Sequence, residues 1–143
     1  MNAKNKKIVL VDDDAVFLNM LKAQLLEHGI LSIDTYPTGE KMIENLNPEI
    51  DLVILDFHLN GIDRHAMNGL ETLDKIKVAY PEIPVIMLSS QDKIDVAISC
   101  MHHGAFDYIV KSETAFFRVQ QAILKLFDFK KIENELNWYM KRM

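Results

Sequence analysis

Cysteine is nearly absent from this 143-residue chain. The single one, Cys100, cannot close an internal disulfide, so nothing requires an oxidising compartment. Surplus positive charge is missing as well. Sixteen Lys and Arg against 21 Asp and Glu leave a net charge of −5, which excludes the clustered basic footprint of a direct nucleic-acid binder. No apolar run approaches the roughly 20 residues of a membrane helix. Met1 to Lys7 is basic but lacks the apolar stretch of a signal peptide, so a cytoplasmic location is expected. Glycine (5) and proline (4) are too sparse for a low-complexity or fibrous chain, and no repeat of solenoid period is present. No G-x-x-x-x-G-K-[ST] phosphate loop occurs either. What remains is one globular domain, long enough to bury about 70% of its unfolded surface.

Short apolar runs alternate with stretches of helical period. Strands are predicted at Lys7–Val11, Ser32–Tyr36, Asp51–Leu55, Val85–Leu88 and Asp107–Val110. The first helix follows Asp12-Asp13-Asp14, carries Phe17, Leu21, Gln24/Leu25 and His28 on one face, and stops at Gly29. A short helix spans about 40–46 and a third Leu70–Tyr80. A fourth spans Lys93–His103, with Ile94, Ala97/Ile98 and Met101 expected to face inward. A long helical tract follows Lys111. Strands and helices in strict alternation imply a parallel sheet covered on both faces, an open doubly wound α/β fold. In such sheets the site lies beyond the carboxyl ends of the strands.

Those ends carry the chemistry. The first strand ends in Asp12-Asp13, the third in Asp56, the fourth in Ser89-Ser90 and the fifth in Lys111. Carboxylates about 5 Å apart repel by roughly 3 kcal/mol per pair at an effective dielectric of 20. Such a cluster should hold a proton or a hard cation, and Mg²⁺ with a few carboxylates and water suits it. Lys111 and Ser89 add the positive charge and the donor that a phosphoryl group needs. Each residue alone could be an ordinary helix cap; the set in this order points to phosphoryl chemistry.

These residues resemble the receiver domain of two-component response regulators. The motifs are Ile8-Val9-Leu10-Val11-Asp12-Asp13-Asp14, Leu52-Val53-Ile54-Leu55-Asp56, Met67-Asn68-Gly69-Leu70-Glu71, Pro84-Val85-Ile86-Met87-Leu88-Ser89-Ser90 and Gly104-Ala105-Phe106-Asp107-Tyr108-Ile109-Val110-Lys111. The resemblance spans about residues 6–127 and implies a flavodoxin-like sheet of order 2-1-3-4-5. It implies a phosphoacceptor signalling domain, not an enzyme in the usual sense. Asp56 would take a phosphoryl group from a phosphohistidine on a histidine kinase or histidine phosphotransfer protein. Asp13, Asp56 and the backbone carbonyl of His58 would ligate Mg²⁺, with Asp12 acting through water. Lys111 would pair with the phosphoryl oxygens, and Ser89 and Tyr108 would be the switch residues. His58 and Gln91 would tune the lifetime of the phosphoaspartate. The downstream protein partner would dock on the face of helix 4, strand 5 and helix 5, here about Lys93–Phe127.

Two departures from the family pattern stand out. Lys111 is followed by Ser112, where the family has proline, and Ser112 could cap the next helix. The loop from Phe57 to Gly69 is about five residues longer than usual and places Asp63, Arg64 and His65 beside the expected site. That loop is either a surface insertion or a modulator of partner choice and phosphoryl access. Two rival readings are a receiver-like docking module that is never phosphorylated and a haloacid-dehalogenase-type phosphatase with Asp12 as nucleophile. The second is opposed by the order of the motifs, because Lys111 follows Asp56 and no acidic strand end comes after it. Cys100-Met101-His102-His103 could suggest a soft metal site, but adjacent helical residues diverge by about 100°.

Residues 128–143 are expected to form a helical extension. Phe116, Val119, Ile123 and Leu126 make a stripe toward the sheet. A second, offset stripe of Phe129, Ile132, Leu136, Tyr139 and Met143 implies a bend or a change of face near Asp128–Lys131. It would lie on its own domain or form a coiled-coil-like seam with a partner or in a homodimer. The remainder is too short for an output domain. The expectation is either a stand-alone regulator that works by docking or the amino-terminal piece of something longer.

Overall fold

The computed structural model describes residues 4–142. Ten elements alternate along the chain: β1 (Lys7–Val11), α1 (Ala15–Glu27), β2 (Ser32–Tyr36), α2 (Gly39–Glu44), β3 (Leu52–Asp56), α3 (Gly69–Ala79), β4 (Val85–Ser89), α4 (Ile94–His102), β5 (Asp107–Val110) and α5 (Ala115–Arg142). The five strands form one parallel sheet in the order β2-β1-β3-β4-β5, the doubly wound flavodoxin-like topology implied by the sequence.

Strand residues alternate between the two faces of the sheet. Ile8, Leu10, Ile54, Ile86, Leu88 and Ile109 meet α1 and α5 through Leu18, Leu21, Leu25, Val119, Ile123 and Leu126. Val9, Val11, Val53, Leu55, Val85 and Met87 meet the opposite helices through Met42, Leu73, Ile76 and Cys100. Both faces are covered, so β3 and β4 are buried at every position and read as continuous apolar runs. Helix ends follow local chemistry. Asp14 caps α1 by accepting from Val16 and Phe17 N–H, and Asn68 and Glu71 form a reciprocal capping box on α3. Gly29 and Gly104, at φ of +90° and +100°, end α1 and α4 in the left-handed region.

Four expectations are corrected. The inward face of α4 is not Ile94, Ile98 and Met101, which are 79%, 50% and 45% exposed. Cys100 is buried instead, with Val96 packed against the same cluster. The helix carries two apolar stripes, and the one with smaller side chains is the one packed against the sheet. The bend expected at Asp128–Lys131 does not occur, because α5 runs unbroken from Ala115 to Arg142. Continuous helix keeps every i to i−4 bond, so the offset between the two stripes is the change of face, along one unbroken helix. Ser112 does not cap α5. Its Oγ accepts from Thr114 N–H two residues ahead, and Thr114 is the residue whose carbonyl accepts from Arg118. In α1, Leu18 replaces His28 on the buried side, while Phe17 packs at its margin. The second stripe of α5 is exposed at Phe129, Ile132, Leu136 and Tyr139; Met143 lies outside the described residues. No helix among the described residues is long and apolar enough to cross a membrane.

Candidate functional site

The strand register brings the polar ends together. Val11 pairs with Leu55 and Asp56 with Leu88, so the residues that follow β1 and end β3 share one rim, joined by Ser89, which pairs with Val110. Asp12, Asp13 and Asp56 each offer a carboxylate oxygen within 4.8 Å of the others. Asp12 and Asp56 are 3% and 2% exposed, and Asp13 is half-buried. Lys111 enters from the end of β5. Its Nζ lies 2.8 Å from Asp12 Oδ2 and 3.3 Å from Asp56 Oδ1. Oδ2 has no partner besides this ammonium, while Oδ1 of Asp12 accepts from Asp14 N–H.

Electrostatics make the cluster demanding. Burial and the neighbouring Asp12 carboxylate push the Asp56 carboxyl up to about 7, against the pull of Lys111 and the His58 N–H. Burial lowers the Lys111 ammonium, but hydrogen bonds and charge from Asp12 and Asp56 prevail and raise it. Three clustered carboxylates and one ammonium leave a net negative site. Its donors are all hard oxygens, the set that suits a small divalent cation rather than a soft one. Among the described residues this is the one group with metal-ligand geometry. The Cys100–His103 segment does not converge: Cys100 is buried, and exposed His103 turns its Nδ1 to Asp74 Oδ1 at 2.7 Å.

The other expected site residues stand close by. Ser89 is fully buried, and its Oγ accepts from Gln91 N–H at 3.0 Å. The Tyr108 hydroxyl donates to the Gln91 carbonyl at 2.7 Å, tying β5 to the loop after β4. Desolvation raises the phenol, and a Ser89 hydrogen bond opposes that shift. His58 is half-buried, with its ring edge-on to Phe57 at 5.0 Å between centroids. Asp63, Arg64 and His65 are exposed; Asp63 Oδ1 accepts from His65 N–H in a local turn, a bond that does not reach the cluster.

Three further residues contribute to the site. The Phe17 ring lies 4.5 Å below Lys111 Nζ and stacks on Phe116, a platform that holds the ammonium from its apolar side. Gly69 passes so close to the end of β3 that a Cβ there would stand 2.3 Å from the Asp56 carbonyl oxygen. Gly61 N–H donates to Asp13 Oδ2 at 3.2 Å. A glycine after an Asn cap was the available signal for the second; backbone donors leave none for the third.

The architecture is that of a doubly wound α/β domain with an acidic cluster and one lysine at the carboxyl ends of its strands. Residues 8–135 match the family model described as "Response regulator receiver domain", and the chain belongs to that family. It is 33% identical over 103 residues to the luminescence regulatory protein LuxO of Vibrio campbellii, and equally so to the transcriptional regulator NtrC of Klebsiella pneumoniae. Each alignment covers 71% of this chain but 21% of the relative, so the chain spans about a fifth of the length of these relatives. The fold is similar to the receiver domain of NtrX from Brucella abortus, with a TM-score of 0.71 and 30% identity over 85% of this chain and 96% of that one. It is also similar to a chain of the CheX–CheY–BeF3–Mg complex from Borrelia burgdorferi, with a TM-score of 0.76 and 28% identity over 85% and 89%. It is therefore a signalling domain of two-component systems and not a conventional enzyme.

Proposed function

We propose that Asp56 is the phosphoacceptor of a two-component phosphorelay. The observation that carries this reading is a buried carboxylate held between two others and one ammonium at the end of the central strand. A phosphohistidine on a histidine kinase or phosphotransfer protein would be the donor. An Asp56 oxygen attacks phosphorus as the P–N bond breaks, and the bonding electron pair leaves with the imidazole. The protein supplies position and charge, which is most of what phosphoryl transfer needs. Lys111 neutralises charge on the transferred group while staying paired to Asp12. Ser89 Oγ would turn its one proton from the Tyr108 hydroxyl to a phosphoryl oxygen while it still accepts from Gln91 N–H.

Asp13, Asp56 and the His58 carbonyl would hold Mg²⁺, with Asp12 acting through water; the all-oxygen donor set fits that ion. Bound there, Mg²⁺ would lower the charge of the carboxylates and of the developing phosphoaspartate. The Borrelia burgdorferi structure that holds a similar chain is described as a CheX–CheY complex with BeF3 and Mg. His58 and Gln91 flank the acceptor and would tune how long the phosphoaspartate lasts. The readout would pass from Ser89 through the Gln91 loop to Tyr108, whose hydroxyl is bonded to that loop. It would end on the face of α4, β5 and α5, where Ile94, Ile98, Met101 and Phe117 stand exposed for a protein partner. Exposed apolar side chains grouped in this way suit a docking surface.

Incubation with a small acyl phosphate tests this reading. It predicts Mg²⁺-dependent phosphate incorporation into the wild type and none into Asp56→Asn. Incorporation that survives the substitution, or that ignores Mg²⁺ removal, contradicts it. Labelling of Asp12 instead would favour the phosphatase-type reading.

A further inference from the structure

The loop between Phe57 and Gly69 is fastened at both ends. Leu59 is 1% exposed in the core, Met67 N–H donates to Glu40 Oε2 at 2.9 Å, and Gly69 N–H donates to the Phe57 carbonyl at 2.8 Å. Between these anchors the segment from Gly61 to His65 is exposed, with Ile62 82% exposed. One hydrogen bond returns it to the rim: Gly61 N–H to Asp13 Oδ2.

Asp13 is the carboxylate of the cluster with the fewest restraints. Lys111 pairs with Asp12 and Asp56 but not with Asp13. Among the described residues, Gly61 N–H is the one hydrogen-bond partner of its side chain. Repulsion from two buried carboxylates would otherwise favour a rotamer turned to solvent. We infer that the Gly61 backbone amide is a positioning group for the cation site, holding Asp13 beside Asp12 and Asp56, so that cation binding and the order of the 61–65 loop are coupled. This rests on the reading above that the three carboxylates take a divalent cation.

The chemistry is consistent with a brace rather than a competitor. A carboxylate has about four acceptor positions, so a single N–H on Oδ2 leaves the rest for a cation. Partners that orient a ligand in this way commonly change metal affinity by 10- to 100-fold when lost. Linkage makes the effect reciprocal: a loop that raises cation affinity is ordered by the cation to the same extent. The position also has little room, since a Cβ on Gly61 would stand 3.2 Å from Asp13 Oδ2. A lengthened loop thereby gains a route to the phosphorylation site, and whatever engages its exposed tip would act on cation affinity.

Two measurements on the full chain test the inference. The first is Mn²⁺ binding, followed by the loss of the free-ion paramagnetic resonance signal, in the wild type and in Gly61→Pro, which lacks the N–H. A roughly 10-fold weaker affinity is expected in the variant, with its circular dichroism unchanged. The second needs no substitution at Gly61: amide exchange at residues 59–65 with and without Mg²⁺. Slower exchange at Gly61 with Mg²⁺, abolished in Asp13→Ala, is expected. Equal Mn²⁺ affinity in a folded Gly61→Pro, or exchange at Gly61 indifferent to Mg²⁺, overturns the inference and leaves Asp56 phosphorylation standing. A wild type that binds no Mn²⁺ at all overturns the cation site itself, and the inference with it.

Discussion

Within β3, four residues and the fifth pull stability in opposite directions. Leu52, Val53, Ile54 and Leu55 are at most 1% exposed and bury their side chains on both faces of the sheet. Each such side chain contributes about 1.5–3 kcal/mol relative to exposure. Asp56, one residue further, is equally buried but carries a carboxyl pushed up to about 7 by that burial. Ionising it in place therefore costs free energy that the apolar run offsets. The strand is a rigid support with a strained charge at its tip. Functional carboxylates are commonly held this way, at the expense of stability.

The largest effect should come from breaking the support. Ile54→Ala is expected to lower unfolding free energy by about 2–5 kcal/mol, read from the denaturant midpoint, because it opens a cavity between the sheet and α1. Replacing the charged tip should do the reverse. In the unfolded chain Asp56 ionises near 3.9, whereas folding raises it to about 7. Between those values the folded state holds the extra proton, so metal-free stability should fall as pH rises from about 4 to 7 and then level off. Asp56→Asn should remove this slope and stabilise the metal-free protein at pH 8, by about 1–3 kcal/mol once relaxation is allowed for. A slope of opposite sign, or a destabilised Asp56→Asn, would show that Lys111 outweighs desolvation.

The smallest effect should come from the far half of α5. The same helix is buried at Val119, Ala122, Ile123 and Leu126 but exposed at Ile132, Leu136 and Tyr139. Ile132→Ser is expected to change monomer stability by less than about 0.5 kcal/mol. A larger loss that grows with protein concentration would reveal that this stripe is covered by another chain.

The same contrast explains what was legible in the sequence. β3 could be read because an unbroken apolar run ending in Asp has few alternatives, and the rim followed from the ends of four such strands. Lys111 and Ser89 then followed from their strand ends, whereas Tyr108 was singled out by the resemblance to receiver domains alone. The face of α4 was misread because two apolar stripes compete there, and the bulkier Ile94–Ile98–Met101 outweighs Val96 and Cys100 in any hydrophobic count. The structure buries the smaller set. The offset between the stripes of α5 suggested a bend because periodicity records which residues are apolar, not whether a surface is present to cover them. Gly61 was invisible for a different reason. Its contribution is a main-chain N–H, which every residue but proline has, so only the path of the loop reveals it.

The central claim is that phosphate enters at the tip of β3 and nowhere else on the rim. Borohydride reduction after acyl-phosphate treatment converts a phosphoaspartate to homoserine, and peptide mass spectrometry then locates it. The account predicts homoserine at position 56 alone, dependent on Mg²⁺. Homoserine at position 12 or 13, or an unmodified Asp56 in a protein that has taken up phosphate, would contradict it.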